Sequence, residues 1–166
     1  FVSGHKSPDT DSIAAALSYS YLKRRLGMDA VAVRAGEINK ESRFALDYFN
    51  LEEPMLVTSV ARKNPEDEKQ KVILVDHNES KQTIDGMDDA EVLEIIDHHR
   101  FGDFESENPI FILVRPVGCV NTVIYGLYKA NHIKPSREIA GIMLSAIISD
   151  TVLFRSPTTT EEDKET

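Results

Sequence analysis

The run Val72-Ile73-Leu74-Val75 constrains this chain more than any other stretch. It is short, continuously apolar and bounded by polar residues, the pattern of a strand covered on both faces in a parallel sheet. It ends in Asp76-His77-Asn78. Val92 to Ile96 repeats the pattern and ends in Asp97-His98-His99, and Ile110 to Val114 reads as a further strand closed by Arg115-Pro116-Val117-Gly118. Phe1-Val2-Ser3 reads as the end of another buried strand, Ala30 to Ala35 as a strand stopped by Gly36, and Met55 to Val57 as a short extended piece after Pro54.

Helical spacing lies between these runs. Ile13, the alanines 14 to 16, Leu17, Tyr21, Leu22 and Leu26 keep to one periodicity; Lys23 to Arg25 occupy the last turns and Gly27 supplies the stop. Asn39 can cap a helix carrying Phe44 to Phe49. Further helices are expected at Cys119 to Ala130 and at Ser136 to Ile148, with Ser136 as N-cap. Strands alternating with helices predict an α/β fold: a doubly wound, mostly parallel β-sheet flanked by helices. Ala61 to Lys71 has no periodicity and is almost wholly polar, so a surface linker and a place for an insertion is expected there.

With 166 residues, 41% of them hydrophobic, one globular domain with a substantial core is expected. A net charge of −9 without a basic patch argues against nucleic acid as a partner. The single cysteine, Cys119, excludes an internal disulfide framework and is compatible with a reducing cytoplasm. No apolar run approaches the length of about 18 residues needed to span a membrane, so a cytoplasmic protein with no membrane partner is expected. The first residue is Phe1 and the last six are polar, which reads as a piece of a longer protein: a domain over residues 1–157 and the start of a linker over 158–166.

The segment Gly4-His5-Lys6-Ser7-Pro8-Asp9-Thr10-Asp11-Ser12 places an imidazole and two carboxylates in one tight loop, with Pro8 restricting the backbone. An N/O donor set of this kind suits Mn²⁺, Co²⁺, Zn²⁺ or Fe²⁺. A plain strand-to-helix loop with Asp9 or Asp11 as N-cap accounts for the same residues. The wider pattern favours the metal. His5, Asp76 and Asp97-His98-His99 each follow a strand-like run and Asp150 follows a helix, and in parallel sheets all such ends fall on one edge, where ligands bind. With His77, which follows Asp76, four of the five histidines lie at these ends.

Gly4-His5-x-x-Pro8-Asp9-x-Asp11-Ser12, Val75-Asp76-His77-Asn78, Asp97-His98-His99 and Ser149-Asp150-Thr151 together resemble the signatures of the DHH phosphoesterase superfamily, most closely its family II (manganese-dependent) inorganic pyrophosphatases. Pro116 to Cys119 and Phe154 to Thr158 are similar to that family too. The resemblance implies two Mn²⁺ (or Co²⁺) ions, one held by His5, Asp9 and Asp76, the other by Asp11, Asp76, His98 and Asp150, with Asp76 shared. It implies catalytic roles for His99 and Asp76, with His99 meeting the substrate phosphate. The substrate would be pyrophosphate escorted by Mg²⁺, and the attacking water would be activated as hydroxide between the ions. His77, Asn78 and Asp97 would support the ligands from behind. Arg155 is a candidate phosphate contact, ahead of Lys6, Arg100 and Arg115, for which surface exposure is the default. The family implies a homodimer and, in some members, a nucleotide-sensing CBS insert near residues 61–71 that binds adenine nucleotides. It also implies a second, C-terminal lobe that clamps the substrate, so the chain alone is expected to be weakly active or inactive. His132 is expected to be solvated, Cys119 to pack as a small apolar residue, and Tyr19 and Tyr21 to serve core and helix surface. A DHH-type phosphodiesterase or oligoribonuclease, and a non-catalytic metal- or nucleotide-sensing lobe, are the rival functions.

Overall fold

The computed structural model describes residues 1–166. Its centre is a six-stranded sheet in the order β3-β2-β1-β4-β5-β6, with every neighbouring pair parallel. The strands are β1 (Val2–Ser3), β2 (Ala32–Arg34), β3 (Met55–Leu56), β4 (Lys71–Val75), β5 (Glu91–Asp97) and β6 (Phe111–Val114). The helices are α1 (Thr10–Arg25), α2 (Lys40–Tyr48), α3 (Val120–Ala130), α4 (Arg137–Asp150) and α5 (Glu161–Glu165). From β1 the chain winds outward through β2 to β3, then returns to pair β4 on the other side of β1 and winds outward again to β6. The order therefore reverses between β1 and β4, and the carboxyl ends of those strands form the crevice of a doubly wound sheet.

The alternation along β4 shows how both faces are covered. Ile73 and Val75 pack with Val2, Ala15, Ala16, Tyr19, Val120, Val123 and Ile124, on the face carrying α1 and α3. Val72 and Leu74 point the other way, to Val33, Val60, Ile84 and Ile95. On that second face the crossovers between β4, β5 and β6 contain no α-helix, only two 3₁₀ turns (Ser80–Gln82 and Met87–Asp89) and loops, with Phe104 and Ile110 completing the cover. A third apolar cluster, including Ile13, Ala14, Leu46, Ile142 and Ile147, seats α2 and α4 on α1.

The helix starts follow local chemistry. Asp9, Asn39 and Ser136 each accept a backbone N–H from the third residue on, from Ser12, Ser42 and Ile139. Asp9 is thus the cap of α1, whereas Asp11 lies inside its first turn. Leu26 closes α1, with Gly27 at φ +88° as the left-handed stop. Within residues 158–166, Glu161–Glu165 form α5, a single helical turn closed by a capping box between Thr160 and Asp163. No helix is long and apolar enough to cross a membrane.

Candidate metal centre

The loop after β1 is drawn tight by Ser12, whose Oγ accepts the His5 N–H at 3.0 Å. A Cβ on Gly4 would stand 1.8 Å from that oxygen, so only glycine lets the strand end turn back onto the first turn of α1. This turn delivers His5 and Asp9 to the crevice. His5 Nε2 lies 3.7 Å from Asp9 Oδ2 and 3.4 Å from Asp76 Oδ2. On the other side of Asp76, His98 Nε2 lies 3.3 Å from Asp76 Oδ1, 3.6 Å from Asp11 Oδ2 and 3.9 Å from Asp150 Oδ2.

Asp76 is therefore flanked on both oxygens. It is 1% exposed and its backbone is left-handed at φ +63°, a conformation that costs a residue other than glycine about 1 kcal/mol or more and that clusters at functional sites. Neither carboxylate oxygen has a hydrogen-bond partner, and neither has His98 Nε2. Buried polar atoms are nearly always satisfied. Three that are not, converging with His5, Asp9, Asp11 and Asp150, fit divalent cations with N/O preferences.

Each donor is aimed by groups behind it. His98 Nδ1 meets the Val117 carbonyl at 3.0 Å; with its hydrogen donated there, Nε2 is the nitrogen turned towards Asp76 and the one that would ligate a cation. Asp97, fully buried, accepts from the backbone N–H of His98 (2.7 Å) and of His99 (3.2 Å) and from His99 Nδ1 (2.9 Å). Asn78 Nδ2 donates to the second Asp97 oxygen at 2.5 Å and to the Arg100 carbonyl at 3.0 Å. His77 turns Nδ1 to the Val75 carbonyl at 2.9 Å and stacks edge-on beside His5; its buried Nε2 has no partner. Asp11 sits at the amino end of α3, accepting from Val120 N (2.8 Å), Asn121 N (3.3 Å) and Asn121 Nδ2 (2.7 Å), where the helix dipole favours an anion.

Charge shows how these groups are balanced without a cation. Burial and the neighbouring Asp11 push the Asp150 carboxyl up to about 10 and Asp76 up to about 6. Burial works against a charged imidazole, but Asp76 and Asp9 outweigh it at His5, raised to about 10, and Asp76 and Asp11 outweigh it at His98, raised to about 9. The cluster balances itself with protons that divalent ions would displace. His77 is the exception, lowered to about 4 by burial and held as a neutral ring. His99 is raised, chiefly by its bond to Asp97.

Several partners were not legible in the sequence. Asn121 and Cys119 come from α3 and its N-cap, and Cys119 Sγ donates to Asp11 Oδ1 at 2.8 Å, so it does more than pack as a small apolar group. Burial and Asp11 raise the Cys119 pKa well above the ordinary thiol value, so in the metal-free fold it stands as a neutral thiol. Glu41 Oε1 accepts from both Thr10 Oγ1 and Ser149 Oγ at 2.5 Å, tying the Asp9–Asp11 turn to the end of α4. These groups are far apart in sequence and carry no local signal. Of the flanking cations, Lys6 pairs with Asp85, Arg100 with Glu79 and Arg115 with Glu162. Arg155 is exposed in the turn after Asp150, and His132 is exposed in the turn after α3.

Residues 1–147 match the profile of the DHH family, N-terminal domain. A Bacillus licheniformis protein named "Probable manganese-dependent inorganic pyrophosphatase" is 54% identical over 160 residues, covering 96% of this chain and 50% of the relative. An Exiguobacterium protein of the same name is 51% identical over 162 residues, covering 98% and 51%. The crystal structure of a Methanococcus jannaschii protein assigned to the family II inorganic pyrophosphatases superposes with a TM-score of 0.88 at 42% identity, over 99% of this chain and 53% of that one. A Bacteroides fragilis exopolyphosphatase-related protein shares the fold, with a TM-score of 0.70 at 19% identity. The chain thus spans about half the length of the relatives it matches. With the family profile covering β1 through most of α4, and every residue of the cluster except Asp150 lying within it, the chain belongs to the DHH family and carries its N-terminal domain.

Proposed function

We propose that this chain is the metal-binding half of a manganese-dependent inorganic pyrophosphatase, which splits pyrophosphate and water into two phosphates. The observation that carries this reading is Asp76: a buried carboxylate with both oxygens unpartnered, one turned to His5 and the other to His98. A group placed so serves two cations at once. His5 and Asp9 would complete one set, and Asp11, His98 and Asp150 the other. Bound there, a pair of Mn²⁺ or Co²⁺ ions supplies Lewis acidity and an activated water for in-line attack on phosphorus.

The chain's own residues hold the rest in place. Val117 and Asp97 orient the two adjacent imidazoles differently. His98 is turned inward, while His99, half exposed, keeps Nδ1 on Asp97 and leaves its other nitrogen without a hydrogen bond. With its pKa raised by Asp97, His99 is suited to donate a hydrogen bond or a proton to a phosphoryl oxygen. Lys6, Arg100 and Arg115 are committed to carboxylates, which leaves Arg155 as the candidate phosphate contact from this half. Further neutralisation would come from Mg²⁺ on the substrate and from a second lobe. This supports weak or no turnover by residues 1–166 alone.

Three further points belong to the same proposal. β6 is an edge strand with Phe111 and Ile112 exposed, a surface suited to a homodimer. The exposed 61–71 loop suits a CBS-type insert binding adenine nucleotides. A cytoplasmic location accords with the single free cysteine.

Titration with Mn²⁺ tests the site: two ions per chain are expected in the wild type, and fewer than one in Asp76→Asn. Product analysis separates the substrates, by phosphate released from pyrophosphate against mononucleotide released from a dinucleotide. The longer protein is expected to cleave pyrophosphate and not a dinucleotide, and to lose turnover in His99→Ala. Near-normal turnover by the 166-residue chain would contradict the need for a second lobe, and cleavage of the dinucleotide alone would replace the pyrophosphatase by a phosphodiesterase.

A further inference from the structure

Asp163 lies outside the ligand set, on the one-turn helix α5, yet it is 2% exposed and accepts four hydrogen bonds. Oδ2 takes Gly118 N at 2.9 Å, Thr160 N at 2.7 Å and Thr160 Oγ1 at 2.7 Å; Oδ1 takes Thr122 Oγ1 at 2.6 Å. The two Thr160 bonds close the turn of α5 on itself. The other two reach across 41 and 45 residues to the segment that opens α3.

That segment is what aims two of the proposed ligands. Val117 O holds His98 Nδ1, and the backbone N–H groups of Val120 and Asn121, with the Cys119 thiol, hold Asp11. Gly118 directly follows Val117, and Gly118 and Thr122 bracket the three residues on Asp11, so the carboxylate grips the segment beside the first contact and on both sides of the others. The fit at Gly118 is close: a Cβ there would stand 2.8 Å from Thr151 Cγ2 and 2.9 Å from Asp163 Oδ2. The same backbone is thus pressed between Asp163 and the residue after Asp150.

We infer that Asp163 is a positioning residue for the metal centre, fixing the Val117–Thr122 turn and through it His98 and Asp11. The inference rests on the reading of His98 and Asp11 as ligands. Simple anchoring of α5 does not require it, because Arg115 already holds Glu162 with two bonds of 2.7 and 2.6 Å. Nor is α5 a helix that a cap alone could sustain, since isolated helices of a single turn are unstable in water. A buried carboxylate with two of its four bonds spent on the turn behind the ligands acts on those ligands.

The test uses the 166-residue chain and Mn²⁺, with binding followed by the electron paramagnetic resonance signal of free Mn²⁺ and amide hydrogen exchange followed without metal. Asp163→Ala is expected to lose Mn²⁺ affinity by about 10-fold or more, the range seen when groups behind metal ligands are removed. The metal-free protein is expected to lose exchange protection at Val120 and Asn121, the amides on Asp11. Asp163→Asn keeps one acceptor for Gly118 and Thr160 and is expected to recover most of the affinity. Glu162→Gln breaks only the Arg115 contact and is expected to change neither readout. Should Asp163→Ala fail to fold, Thr122→Val removes one grip with little change of shape and is expected to weaken Mn²⁺ binding in the same direction. Wild-type affinity together with wild-type protection at Val120 and Asn121 in the folded variants overturns the inference. If the wild type binds no Mn²⁺, the metal reading fails separately, and the exchange measurement alone decides the role of Asp163 in holding the turn.

Discussion

Replacing Asp76 with asparagine tests the central physical claim, because stability and metal binding should move in opposite directions. In the metal-free fold this carboxyl is buried without a hydrogen-bond partner, and burial and Asp11 raise its pKa from 3.8 to about 6. One unit is worth 1.36 kcal/mol, so ionised Asp76 destabilises the metal-free fold by up to about 3 kcal/mol at neutral pH. Asparagine has the same shape, carries no charge and tolerates the left-handed φ of +63° better than most residues. The sign follows from linkage. A folded pKa above the unfolded one means that the contribution of Asp76 is most favourable below about pH 4 and is lost as the pH rises through 6. The variant lacks that slope. Its stability advantage should open between pH 4 and 6 and vanish in acid. For a domain of this size, each kcal/mol moves Tm by about 2–4 °C, so the metal-free variant should melt above the wild type at pH 7.5, by up to roughly 6–12 °C. Adding Mn²⁺ at about 100 times its Kd should stabilise the wild type by about 2.7 kcal/mol and leave the variant unmoved. Thermal melts with chelator and with Mn²⁺, at pH 4 and pH 7.5, measure all four quantities. A metal-free variant that melts below the wild type at pH 7.5, or that still gains stability from Mn²⁺, would refute the argument.

Two other changes probe the frame around the site. Gly4→Ala places a Cβ 1.8 Å from Ser12 Oγ and should destabilise the chain by about 1–3 kcal/mol in urea unfolding while weakening Mn²⁺ binding, because His5 rides on that loop. Tyr19→Phe deletes the 2.5 Å bond to Glu94 but leaves the Lys23–Glu94 pair at 2.6 Å intact; a loss of about 1.5–3 kcal/mol with unchanged Mn²⁺ affinity is expected.

Much of this protein follows from local chemistry that the sequence displays. The apolar run of β4, the periodicity of α1 and the caps Asn39 and Ser136 determine elements whose observed bounds lie within a few residues of the expected ones. Parallel pairing of strands that end in His5, Asp76 and Asp97–His99 was enough to bring those residues to one crevice, because a parallel sheet has a single carboxyl edge. Tertiary structure alone decided what stands behind them. That Asp11 serves the amino end of α3, that Glu41 joins Thr10 to Ser149, and that Asp163 of α5 grips Gly118 and Thr122 are contacts between distant segments. Periodicity and motif spacing report only what a residue's near neighbours impose. Which buried carboxylate meets which donor is set by the packing of whole elements, and that became visible only once the chain had folded.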